Sequence, residues 1–100
     1  MKIQTQQNVT SVKLVDGLFS AEEAREILLN LIQCKIQYHE MNNFSSLEQH
    51  GKPDTIAQYR LPELRAEQEK VKQLTNAAAQ KRCILKITSA IRIELIDEGR

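Results

Sequence analysis

The sequence has no tryptophan and only four aromatic residues, Phe19, Tyr38, Phe44 and Tyr59. A core built from it must be aliphatic, and there is no interleaved platform of rings for bases to stack on. Two cysteines, Cys34 and Cys83, are too few for a disulfide scaffold and fit reduced thiols in a cytoplasmic setting. Three isolated glycines, Gly17, Gly51 and Gly99, exclude a glycine-rich phosphate loop. The formal net charge of +1 gives no global pull toward nucleic acid or an acidic membrane. No apolar run exceeds three residues, so no transmembrane span is expected. The opening MKIQTQQN lacks the apolar stretch of a secretory leader.

What is present fits one small domain. Ordering 100 residues costs on the order of 150 kcal/mol in conformational entropy. A chain of this size buries just enough apolar surface to offset that, unless it adds surface by oligomerising.

The strongest signal is Ser20 to Asn43. Ser20 followed by Glu23 is a capping box, and Glu22, Glu23 and Glu26 set negative charge at the positive end of the helix dipole. Ala24, Ile27, Leu31, Cys34, Tyr38 and Met41 recur at helical spacing as one stripe, widened by Leu28. Leu29, Ile32 and Ile36 make a second stripe, roughly 140° away. Two apolar stripes predict a helix covered from two sides, by a second helix and by a sheet.

In chain order, residues 1–8 are polar apart from Met1 and Ile3 and are expected to be flexible. Residues 9–16, VTSVKLVD, alternate as a strand, and Asp16-Gly17 reads as a turn. Phe19 is expected to tuck under the first helical turn. The first helix covers 20–43. A polar connector covers 44–59, with a short helical turn at 46–50 stopped by Gly51 and Pro53, and with Phe44 and Leu47 pinned to the helix pair. The second helix covers 62–82, with Pro62 at its first position. Its stripe is Leu61, Leu64, Val71, Leu74 and Ala78, interrupted by Gln68. Glu67–Lys70 and Glu69–Lys72 are expected ion pairs on its wet side. Residues 84–97, ILKITSAIRIELID, show period-two alternation, with Leu85, Ile87, Ile91, Ile93 and Leu95 on one face. Residues 98–100 are a tail.

The fold class is therefore α+β, in the order β-α-α-β: an antiparallel helical hairpin packed on a small antiparallel sheet, as a single domain over 9–97. A two-stranded sheet is marginal alone, and a long last strand leaves an unpaired edge. Joining that edge to the same edge of a second copy addresses both, so a homodimer is expected.

Four constellations bear on chemistry. From Lys70 to Arg92 there are six basic residues, Lys70, Lys72, Lys81, Arg82, Lys86 and Arg92, and no acidic one. Read functionally, this is a nucleic-acid surface. The plainer reading is favoured: Lys81 and Arg82 complement a helix C-terminus, and Lys86 and Arg92 are solvated strand positions. The polar connector gathers His39, Asn42, Asn43, Ser46, His50, Asp54 and Arg60, a candidate surface for a ligand or protein partner whose plainer reading is an ordinary capping loop. His39, Glu40 and His50 match no metal-ligand spacing, so no metal and no cofactor is expected. Cys34 lies on an apolar stripe and reads as buried and inert. Cys83 sits beside Arg82 with no acid or histidine placed for it, and no serine has a nucleophile-elbow context. An enzyme is not expected. Finally, the two stripes of the first helix could serve a coiled coil with another protein, although the intramolecular hairpin is favoured. The function expected from these features is a small intracellular, non-enzymatic interaction or regulatory protein acting as a homodimer. The alternatives are nucleic-acid association through 70–92 and ligand binding through 38–60.

Overall fold

In the computed structural model, residues 8–99 are described. The elements run β1 (Val9–Phe19), α1 (Ala21–His50), α2 (Thr55–Gln80) and β2 (Leu85–Glu94), the expected β-α-α-β order of an α+β fold. The described residues separate into two compact units. One is a helical hairpin, Phe19–Leu85; the other is a strand ribbon from residues 8–18 and 86–99. The expectation of a flexible segment at 1–8 lies, apart from Asn8, outside the described residues, as does Arg100 of the tail. Asn8 itself is tied down: its carbonyl accepts the Leu95 amide at 2.8 Å.

The hairpin begins with the predicted cap. The Ser20 hydroxyl accepts the Glu23 amide at 3.1 Å, and the Glu23 carboxylate accepts the Ser20 amide at 3.0 Å, so two amides left over at the helix start are satisfied together. α1 then passes its expected end at Asn43 and continues to His50. Gly51 closes it with φ 71°, donating its amide to the Leu47 carbonyl at 3.0 Å. That left-handed turn is the conformation for which glycine is suited. The expected 44–59 connector is therefore only Gly51–Asp54.

α2 starts at Thr55, not at Pro62. The Asp54 carboxylate accepts the Ala57 amide at 2.9 Å, which is N-capping, and Ala57 is fully buried. Pro62 sits inside the helix, where it removes one backbone bond at a cost of about 3 kcal/mol. The α2 end is a Schellman motif. Cys83 donates its amide to the Ala78 carbonyl at 2.9 Å and Arg82 to that of Ala79 at 3.2 Å. This forces Arg82, a non-glycine residue, to φ 56°.

The helices are antiparallel, as their cross-links show. Asn76 pairs with Arg25 at 2.9 Å, Gln68 with Gln33 at 3.1 Å, and Arg65 with Glu40 at 2.8 Å, so position falls on one helix as it rises on the other. The seam follows three–four spacing on both sides. On α1 it runs Leu29, Ile32, Ile36, His39, Asn43 and Ser46; on α2, Ala57, Leu61, Leu64, Gln68, Val71 and Thr75. This spacing belongs to left-handed helix pairs. Ile36 at 2% exposure and Leu64 are its largest buried apolar groups.

Several expectations need correction. Of the two α1 stripes, the Leu29–Ile32–Ile36 one faces α2. On the other, Leu31, Tyr38 and Met41 are exposed, and so is Cys34, which was expected to be buried. Ala24 alone of that stripe is fully buried. Phe44 and Leu47 are exposed instead of pinned, and so is Leu74. Thr75 takes the seam position beside Leu74 and satisfies its hydroxyl by donating to the Val71 carbonyl at 2.8 Å, as threonines in helices do. Gln68 does not interrupt the stripe; it bonds across it.

The ribbon is a two-stranded antiparallel sheet. β1 runs straight through Asp16-Gly17, where a turn was expected, and β2 ends at Glu94 instead of residue 97. Counted from the Asn8–Leu95 bond, Val12 lies opposite Ile91. Val12 and Leu14 share one face of β1, and Ile91 and Ile93 share one face of β2, because alternate residues point to one side. A shallow depression in the ribbon is lined by Lys13, Val15, Asp16, Thr88, Ser89 and Ala90.

Candidate functional site

The polar residues near the hairpin turn hold the turn itself. The Asn43 side-chain carbonyl accepts the Asp54 amide at 2.9 Å, and the Ser46 hydroxyl donates to the Lys52 carbonyl at 2.8 Å. Asp54 caps α2. Arg60 pairs with Glu63 one turn on. Asn42 is half-buried on α1, His50 is exposed beside Gly51, and His39 is buried. Asn43 also lines a shallow open groove with Ala57, Gln58, Leu61, Pro62 and Arg65, in which neither His39 nor His50 takes part. Among the described residues, no group of three or more His, Cys, Asp or Glu side chains could hold a metal ion.

His39 is the unusual member. It lies in the seam at 5% exposure, its ring edge-on to Tyr38 at 5.2 Å, and neither ring nitrogen has a hydrogen-bond partner. Leaving a buried polar group unpaired costs about 1–3 kcal/mol.

The basic set divides between the two units. In the hairpin, Lys70 pairs with Glu67 at 3.2 Å and Lys72 with Glu69 at 3.6 Å, the two expected pairs. Lys81 and Arg82 form the α2 C-terminus. In the ribbon, Arg92 pairs with Glu94 at 3.2 Å and Lys86 is exposed. Three of the six cations thus have an acidic neighbour, and all of these pairs are solvated, each contributing about 1 kcal/mol or less.

The two thiols are free and exposed. The Cys83 thiol contacts the Lys81 carbonyl at 3.7 Å, and among the described residues no base is bonded to either sulfur. Neither has the paired base and orienting group of nucleophilic catalysis.

The feature most out of keeping with a self-contained fold is apolar. Among the described residues only Ala24, Ile36, Ala57, Leu64 and Ala78 are buried apolar positions, while Val12, Leu14, Ile91 and Ile93 on the ribbon and Leu31, Tyr38, Met41 and Phe44 on α1 are exposed. The sequence pointed to the β2 edge. It carried the open α1 stripe too, in its three–four spacing, which was assigned to an intramolecular cover. No family model, curated protein or solved structure matches this chain. No described helix is long and apolar enough to cross a membrane.

Proposed function

We propose that this chain is a small, intracellular, non-enzymatic interaction protein that works as a homodimer. Two copies join along the free edge of β2, so that two ribbons make one four-stranded sheet. The observation that carries this reading is the ribbon itself. Among the described residues it has two strands, and its Val12, Leu14, Ile91 and Ile93 are 43–46% exposed. A two-stranded sheet is marginal in water, and an open apolar edge is a template for another strand. Pairing β2 with its own copy is a two-fold contact. The exposed thiols of Cys34 and Cys83 fit a reducing, cytoplasmic setting.

Light scattering over a concentration series tests this, with a stable mass of twice the 11.5 kDa chain expected. Ala90→Pro is the informative variant. In the register set by Asn8 and Leu95, the Ala90 amide points away from β1, toward the free edge. Proline there spares the β1–β2 ladder and removes one bond from the joint. The expected result is a monomer with an unchanged circular dichroism spectrum. A parent chain that stays at 11.5 kDa at every concentration overturns the reading.

A further inference from the structure

We infer that the β2–β2 joint has one register, centred on Ala90, in which Lys86 of each copy forms an ion pair with the partner subunit's Glu94. The inference rests on the homodimer proposed above and names what lets that edge select a second copy of itself.

The Leu95 amide points to β1. Backbone groups alternate in direction along a strand, so the amides of Lys86, Thr88, Ala90, Arg92 and Glu94 point to the free edge. Hydrogen-bonded pairs in a two-fold joint therefore form between these residues. Two registers use nearly the whole of β2, Leu85–Glu94. With the axis at Ala90, that residue lies opposite its own copy, and Lys86 lies opposite the partner subunit's Glu94. With the axis at Ser89, Lys86 lies opposite the partner subunit's Arg92.

The apolar side chains fit both registers. Ile87 meets the partner subunit's Ile93 in the first and the partner subunit's Ile91 in the second. The charges distinguish them. Opposite charges set directly across a sheet stabilise it and like charges destabilise it, and two-fold symmetry makes each pair occur twice. The Ala90 axis gives two ion pairs where the Ser89 axis gives two cation–cation contacts. The groups are available for this. Among the described residues Lys86 is in no ion pair. Arg92 donates to Oε1 of Glu94 at 3.2 Å, which leaves Oε2 to accept from the partner subunit's Lys86.

Charge reversal reads the register by light scattering. Lys86→Glu sets two carboxylates against each other at both ends of the joint and should weaken association about tenfold or more. Glu94→Lys should do the same with two ammonium groups. An equimolar mixture of the two variants restores both ion pairs and should associate at concentrations where neither variant does alone. A Lys86→Glu chain that associates as well as the parent, or better, overturns the register. The Ser89 axis requires that result, because the new carboxylate then meets the partner subunit's Arg92.

Cross-linking is the second measurement. In a Cys34→Ser, Cys83→Ser background, Ala90→Cys places two thiols directly opposite, with Cα atoms about 5.5 Å apart, a separation that a disulfide spans. Mild oxidation should trap a covalent dimer on a non-reducing gel. Ser89→Cys should not cross-link, because its two copies are diagonal neighbours about 7–8 Å apart. Cross-linking of Ser89→Cys in place of Ala90→Cys overturns the register and leaves the joint standing. A parent chain that stays monomeric overturns the homodimer itself, and the register with it.

Discussion

The two sides of α1 carry the same spacing and opposite chemistry. The inner side packs on α2 and includes His39, Asn43 and Ser46, facing a helix that contributes Gln68 and Thr75. The outer side presents Leu31, Tyr38 and Met41 to water. By composition alone the outer side is the better core. What seats the inner side is the turn: Asn43 and Ser46 bond to the residues that reverse the chain. α2 is tethered within four residues of α1, and short loops are cheap to close. Polar seam positions of this kind fix register at a cost in stability, so the hairpin is specified by its polar residues and stabilised by a few aliphatic ones.

That contrast can be broken most sharply at Ile36. Ile36→Ala should cost about 2–5 kcal/mol in denaturant unfolding, because the side chain is buried. In the monomer Tyr38→Ala, two residues away on the open side, should move the midpoint hardly at all. Equal losses at the two sites would mean that the outer stripe is already covered.

Pro62→Ala should stabilise the hairpin by about 2 kcal/mol. The substitution restores an amide for the helix ladder, less what proline gains by stiffening the unfolded chain. A neutral result would place the lost bond's compensation in the groove beside Gln58.

His39→Leu should raise stability by about 1–2 kcal/mol, since it replaces two unpaired buried nitrogens with a side chain suited to the seam. The hairpin would lose a polar seam position, so multiple helix registers under cross-linking, alongside the gain, would sharpen the view that polarity sets the pairing.

Arg82→Gly should give the smallest gain, about 1 kcal/mol, by relieving a left-handed residue that carries a Cβ. Differential scanning calorimetry resolves a shift of that size in a domain this small.

Much of the fold was legible. The Ser20–Glu23 box, the Gly51 stop, the two lysine pairs on α2 and the period-two β2 each depend on neighbours within a few residues, and local chemistry reads them directly. The misread parts are those where distant contacts overrule local preference. Asn42 to Ser46 look like a connector because asparagine and serine favour caps and turns over helix interiors. They are helical because Asn43 and Ser46 find partners in the returning chain. Pro62 looked like a start because proline suits one, but the seam spacing reads back through it to Leu61 and Ala57, ending at the Asp54 cap. Asp16-Gly17 looked like a turn until β2 lay alongside. The candidate site was legible only as a list of side chains. The polar ones became the fastening of the turn, and the cysteine expected inside stands on the open stripe.

The bond between the Asn8 carbonyl and the Leu95 amide has a mechanical consequence. The two strands meet at the end where β1 begins and β2 finishes, so a load applied across residues 8 and 95 falls on that one bond first. The ribbon would then open one rung after another toward the hairpin, at low force. Traction applied between Asn8 and the far end of β2 near Leu85 would instead pull the strands past each other, loading the rungs together. The same hydrogen bonds would make a soft zipper in one direction and a stiff clamp in the other.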